Sequence, residues 1–175
     1  LVALFGMGQY DVIVCADVLE HVRGSERVLA QCSMLLSPGG KALLSIPNAS
    51  YSGLIAELMT GEFRYRKEGL LDETHVRFFT RQTLLRFLHA GGWAVDRFET
   101  IDRALPESEF QVAFDAMPPS VARHLLALPD AQSYQFIVST HPQPGAKLAD
   151  QFLSGGAAST AREATLLPAQ ALYSA

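Results

Sequence analysis

The chain has 175 residues, the length of one domain, and 49% of them are apolar, enough to build a sizeable core rather than a disordered chain. Its formal charge is −4 with only 14 Lys plus Arg, which leaves no basic footprint for nucleic acid or for an anionic membrane surface. The longest apolar stretches are about strand length, far short of the ~20 residues that cross a bilayer, so no membrane insertion is expected.

Residues 10 to 16, "YDVIVCA", are a short β-branched run that predicts a strand buried on both faces of a parallel sheet. From a start at Ser25, the residues Val28, Leu29, Cys32, Leu35 and Leu36 recur at helical spacing, and Pro38-Gly39-Gly40 stops the helix in a turn. "KALLSIP", 41 to 47, reads as a second buried strand ended by Pro47. Strand, helix and strand together make a parallel crossover. A second helix is predicted over 51 to 60, with Leu54, Ile55 and Leu58 on its core face and Gly61 closing it. The stretch 62 to 79 alternates aromatic and charged residues without a period and reads as a long functional loop.

Thr80 is expected to cap the next helix, in which Leu84, Leu85, Phe87 and Leu88 form the core stripe and Gly91-Gly92 the end. Residues 93 to 102 alternate like a half-exposed strand, and "SYQFIVST", 133 to 140, is the last strand. Between them, 103 to 130 is a proline-punctuated insertion with helical patterns at 107 to 116 and 119 to 127. Residues 1 to 142 thus make one partial domain, and 143 to 175, rich in Ala, Ser and Gly, a loosely held tail. Four strands alternating with helices predict a layered α/β sheet, more comfortable as half of a larger one. The chain also opens on Leu1 and enters a strand within about ten residues, so an N-terminally truncated form is expected, and the exposed sheet edge offers a route to a homo-oligomer. Cys15 and Cys32 lack metal or redox spacing and read as buried free thiols in a reducing cytoplasm.

"CADVLEHV", 15 to 22, places Asp17, Glu20 and His21 directly behind the first strand, at the end where open α/β sheets bind ligands. In one helical turn they stand at i, i+3 and i+4 and point to one side, where they can share a proton or hold a divalent ion such as Mg, Mn or Zn. The same spacing fits Asp17 as an N-cap and Glu20 as its capping-box partner, which contributes on the order of 1 kcal/mol to a helix start and nothing to chemistry. His75, in the loop among Asp72, Glu73 and Arg77, is a further candidate, against the plain alternative of a surface histidine. Asn48, Tyr65 and Arg77 are candidates for substrate contacts. Their plain alternatives are a turn residue for Asn48 and pinning of the loop for the aromatics Phe63, Tyr65, Phe78 and Phe79.

"YDVIVCADVLEHV", "LLSPGGKALLSIPN" and "GLLDETHVRFFTRQTLLRFLHAGGW", in that order and spacing, resemble the second half of class I S-adenosylmethionine-dependent methyltransferases over residues 9 to 101, with 133 to 140 fitting the last strand. The chain is most similar to the branch that holds ubiquinone-biosynthesis O-methyltransferases and methyltransferase domains found beside glycosyltransferases in bacterial surface-sugar pathways. The resemblance implies a Rossmann-like, three-layer α/β/α sheet of seven strands, of which this chain supplies strands four to seven. The glycine-rich turn and the ribose-binding acidic residue of that family belong to strands one and two; Gly6 and Gly8 follow no strand and do not form that turn.

By resemblance the cofactor is S-adenosylmethionine, met by Ala16, Asp17 and Val18, and the partner is a small-molecule acceptor whose hydroxyl is methylated. Relatives carry Glu-x-x-Glu-His as metal ligands where this chain has Asp17-x-x-Glu20-His21, with His75 as a later ligand, which implies a divalent cation such as Mg. For a hydroxyl acceptor a base must take the proton, and His21 or His75 can serve, with Glu20 orienting it. A cytoplasmic O-methylating enzyme is expected on this basis; the alternative is a non-catalytic methyltransferase-like binding or scaffold domain.

Overall fold

The computed structural model describes residues 1–111, 114–115 and 117–143, so the expected tail lies outside the described residues except for Gln143. A single-turn helix α1 (Val2–Phe5) leads into β1 (Tyr10–Ala16), and α2 (Ser25–Leu35) carries the chain to β2 (Leu36–Pro47), which pairs in parallel with β1. This is the predicted crossover. Leu29, Cys32 and Leu35 form the buried stripe of α2 as their spacing requires.

The expected turn at Pro38-Gly39-Gly40 is instead an irregularity within β2: Tyr10 pairs with Leu36, but Val12 pairs with Lys41. At Gly40 an added Cβ would stand 3.0 Å from the carbonyl oxygens of both Ser37 and Tyr10, so glycine is what lets the two backbones close at this bulge.

After β2 come α3 (Ser52–Met59), the loop through Phe79, α4 (Arg81–Ala90), β3 (Trp93–Asp102), α5 (Pro119–Leu126) and β4 (Ser133–Pro142). Thr80 caps α4 as expected, in a reciprocal pair with Thr83. The sheet order is β1-β2-β4-β3, with β4 between β2 and β3 and antiparallel to both. The outer edge of β1 has no partner strand among the described residues. No helix among them is long and apolar enough to cross a membrane.

Side chains alternate across the sheet. Cys15, Ala42, Leu44, Ile46, Phe136 and Val138 turn to one face and are buried with Leu29 of α2 and Leu84 and Leu88 of α4. Val12, Val14 and Leu43 turn to the other face and are 53%, 64% and 40% exposed. Among the described residues β1 is an edge strand with helices on one side only, so it is not buried on both faces. Of the three expected layers, the described residues hold the sheet and the helices on that one face. Both cysteines are buried and free.

A second apolar cluster gathers Tyr51 and Leu54 around α3, Leu70 and Leu71 from the loop, and Phe110, Leu125 and Tyr134. It explains two departures from the sequence reading. Leu58 of α3 is exposed because that helix buries its Gly53, Leu54, Ala56 and Glu57 side toward α5 and the insertion. The helix expected at 107 to 116 is replaced, over its described residues, by a 3-10 turn at Leu105–Glu107 and further turns that seat Phe110 in the cluster. Leu85, expected in the α4 stripe, is also exposed; it lies off the face on which Leu84, Phe87 and Leu88 meet the sheet.

Candidate active site

At the carboxyl end of β1, Asp17 adopts a left-handed backbone with φ 52°, a conformation that Asp tolerates better than most side chains. Its carboxylate accepts hydrogen bonds from Ser45 Oγ of β2 at 2.7 Å and from the Gln135 amide of β4. Three neighbouring strands thus fix it, and it caps nothing. The turn that follows is 3-10, Leu19–His21, and has no side-chain cap, so the capping-box alternative does not hold.

Leu19, fully buried in the core, pulls this turn inward and carries Glu20 with it. Glu20 is 1% exposed, and neither carboxylate oxygen has a hydrogen-bond partner. Burial pushes its carboxyl up to about 6, and the Asp17 charge nearby adds to the rise. An unpaired buried carboxylate is costly, and such groups are found where a proton or a cation is to be held.

The loop is fastened to this turn by its backbone: the N–H groups of Val76 and Arg77 donate to the Glu20 carbonyl at 2.9 and 3.1 Å. That contact brings His75, 8% exposed, against His21 with ring centroids 4.6 Å apart. His75 Nδ1 lies 3.0 Å from the Leu70 carbonyl oxygen, which can only accept. Thr74 gives its hydroxyl proton to the Asp72 carboxylate at 2.5 Å, so its oxygen accepts from His21 Nδ1 at 2.9 Å. Both rings therefore carry the Nδ1 proton and leave the Nε2 lone pair free. One ligand atom each from Glu20, His21 and His75 lies within 4.8 Å of the others. Two imidazoles and a carboxylate suit a borderline or hard divalent ion, or a base with an acid beside it.

These groups open into a cavity of about 650 Å³. Its far wall comes from the loop, the insertion and β4, through Glu68, Arg103, Glu107, Glu109 and Tyr134. Glu109 Oε1 accepts from the Leu70 N–H at 2.8 Å and from the Tyr134 hydroxyl at 3.0 Å, tying insertion, loop and β4 together. Burial and the adjoining Glu109 charge raise the Tyr134 phenol above its ordinary range. The Arg103 guanidinium lies 3.9 Å from the centre of the Tyr134 ring.

Glu20, His21 and His75 are thus brought together, with Asp17 on the same cavity but outside the group of three. Ala16 is exposed and Val18 half-buried beside them. The three substrate candidates fall elsewhere. Asn48 is fully buried; its amide donates to the Ser133 carbonyl at 2.6 Å and the Asp130 carbonyl at 3.2 Å, and its oxygen accepts from Ser50, so it holds β2 to β4. Tyr65 is 57% exposed and packs edge-on against Phe63. Arg77 pairs with Glu26, bonds Ser25 Oγ at 2.7 Å and lies over the Phe87 ring, on the α2 and α4 side. Polar cavity residues that the sequence did not single out include Glu68, Arg103, Glu107, Glu109, Tyr134 and Gln135, and Ser45 holds Asp17 from β2. The only signal for them was a polar Gln135 in the first positions of an apolar strand.

Residues 3–97 match the family model described as a methyltransferase domain. Over 84 residues the chain is 25% identical to the ubiquinone biosynthesis O-methyltransferase of Coxiella burnetii (strain RSA 331 / Henzerling II), covering 48% of this chain and 36% of that protein. Over 87 residues it is 32% identical to the protein of the same name from Burkholderia thailandensis, covering 49% and 37%. These matches span little more than a third of the length of the curated relatives. Among solved structures, a putative methyltransferase from Bacillus halodurans aligns at TM-score 0.49 and 14% identity, over 78% of this chain and 63% of that one.

Proposed function

This chain belongs to the methyltransferase domain family, and from that premise we propose that it supplies the acceptor side of an S-adenosylmethionine-dependent O-methyltransferase acting on a small-molecule or sugar hydroxyl. The observation that carries the reading is the buried, unpartnered Glu20 carboxylate meeting two imidazoles with free Nε2 atoms at the carboxyl end of β1. The name of the matched relatives supports oxygen as the atom methylated.

Methyl transfer is an in-line displacement, so the protein contributes chiefly by alignment and by proton removal. Bound in this site, the cofactor's sulfonium supplies the electrophilic methyl group. Ala16, Asp17 and Val18 form the face toward it, and Ser45 and Gln135 hold Asp17 there. His21 takes the acceptor's proton at Nε2, while Thr74 and Asp72 fix its tautomer and steady the charge it gains. Glu20 and His75 lie beside it to share that charge. The same three side chains fit a divalent cation, whose chemistry would be to lower the pKa of the acceptor hydroxyl. Asp17 is not among its holders: it lies outside the converging group of three, and its Oδ1 accepts from both Ser45 and Gln135.

The test is His21→Ala in the protein that carries this chain. Turnover should fall by about 10²- to 10⁴-fold, the usual contribution of a positioned base, with S-adenosylmethionine affinity unchanged within roughly twofold. Equal losses of affinity and rate would place His21 on the cofactor side and overturn its role.

A further inference from the structure

The cavity has a charge pattern that the methylation chemistry does not account for. Its lining carries six carboxylates, from Asp17, Glu20, Glu68, Asp72, Glu107 and Glu109, against a single guanidinium, that of Arg103. Asp17 and Glu20 belong to the reaction end, Asp72 orients Thr74, and Glu109 is bonded to Leu70 and Tyr134. Glu68 and Glu107 remain. Both are exposed on the opposite wall, one on the loop and one on the insertion, and neither makes an ion pair among the described residues.

An independent feature says that this hollow is built for a ligand: Glu20, almost wholly buried, faces it with both oxygens unpartnered. Ionised carboxylates only accept hydrogen bonds, so a ligand between these walls must donate them. A cleft lined by one sign of charge also concentrates the opposite sign and repels its own. Polar surface outweighs apolar surface in the lining. The exposed aromatic group of Phe63, Tyr65 and Phe78 does not line this cavity.

We propose that the acceptor is a small polyol bearing a protonated amine, held by Glu68 and Glu107 while its hydroxyl points to His21. The same walls repel a carboxylated acceptor. The assignment rests on reading the cavity as the acceptor site.

Glucosamine, glucose and glucuronate test it, because they share one ring and differ in charge. Binding to this chain is followed by amide shifts at Gly69, Leu70 and Ser108 in nuclear magnetic resonance titrations, with no methyl donor present. Glucosamine should bind at least roughly tenfold more tightly than glucuronate and detectably more tightly than glucose. The double variant Glu68→Gln, Glu107→Gln should lose most of that difference and keep the parent's melting temperature, since both side chains are exposed. Glucuronate or glucose matching glucosamine, discrimination retained in the double variant, or no shift at those amides with any of the three would overturn the proposal. Failure of methyl transfer, measured separately, would refute the enzymatic reading and leave these binding ranks standing.

Discussion

Replacing Glu20 by Gln keeps the side chain's size and removes one titrating group, which makes it a direct probe of the buried carboxylate. The carboxyl sits at about 6 in the folded chain against an ordinary 4.5, the difference arising chiefly from burial. At about 1.4 kcal/mol per pH unit, this gap is worth about 2 kcal/mol, or roughly a 30-fold change in the folding equilibrium. The folded state binds the proton more tightly than the unfolded one. The stabilisation is therefore fully present below 4.5, declines as pH rises, and is lost above about 6. Urea unfolding curves for parent and variant, collected from about pH 4 to about pH 7, should diverge by this amount, with the parent losing ground relative to Glu20→Gln. Addition of a divalent ion at neutral pH should return stability to the parent and not to the variant, since only the parent offers the charged ligand. Parallel stability curves for the two proteins would refute the picture of a desolvated, unpaired carboxylate.

Gly53→Ala should destabilise by about 1–3 kcal/mol, because its Cβ would fall 2.6 Å from Tyr51 Cε1, 2.8 Å from Phe110 Cβ and 2.9 Å from Leu105 Cδ1. The denaturation midpoint, together with faster proteolysis within 103–111, reads this loosening of the cavity wall. The edge of β1, unpaired among the described residues, and its exposed Val14 favour pairing with a second copy of the chain, so Val14→Lys should lower self-association in sedimentation velocity while leaving the melting temperature unchanged.

What was legible in the sequence was local. The spans of β1 and β3, the crossover through α2, the cap at Thr80 and the stop at Gly91 each follow from apolar period, capping chemistry or glycine. Burial was not legible where it depends on a neighbour. Val12 and Val14 have the β-branched character of a buried strand, and only the sheet order shows that, among the described residues, β1 is an edge with one covered face. Leu58 and Leu85 match the helical period, yet each helix buries a different arc against partners far away in sequence.

The site divides in the same way. Glu20 and His21 were visible as a cluster behind a strand, and His75 as a histidine in an irregular loop; the backbone bonds from Val76 and Arg77 to Glu20 are what join them. Asp17 sits at the expected place but turns to Ser45 and Gln135, contacts 28 and 118 residues away in sequence. Asn48 and Arg77, chosen for their polar character beside predicted strand and loop ends, are engaged by Ser133 and by Glu26, pairings that no local pattern encodes.

In the proposed enzyme the end of β1 and the turn after it form the meeting point of methyl donor and acceptor. Titration of S-adenosylhomocysteine, the spent donor, into the labelled chain addresses it directly, because amide shifts locate even weak binding residue by residue. Shifts confined to Ala16, Asp17, Val18 and the Leu19–His21 turn, abolished by Asp17→Leu, are the predicted result. Shifts that cluster elsewhere, or none at these residues at the highest soluble concentration, would contradict that placement of the donor.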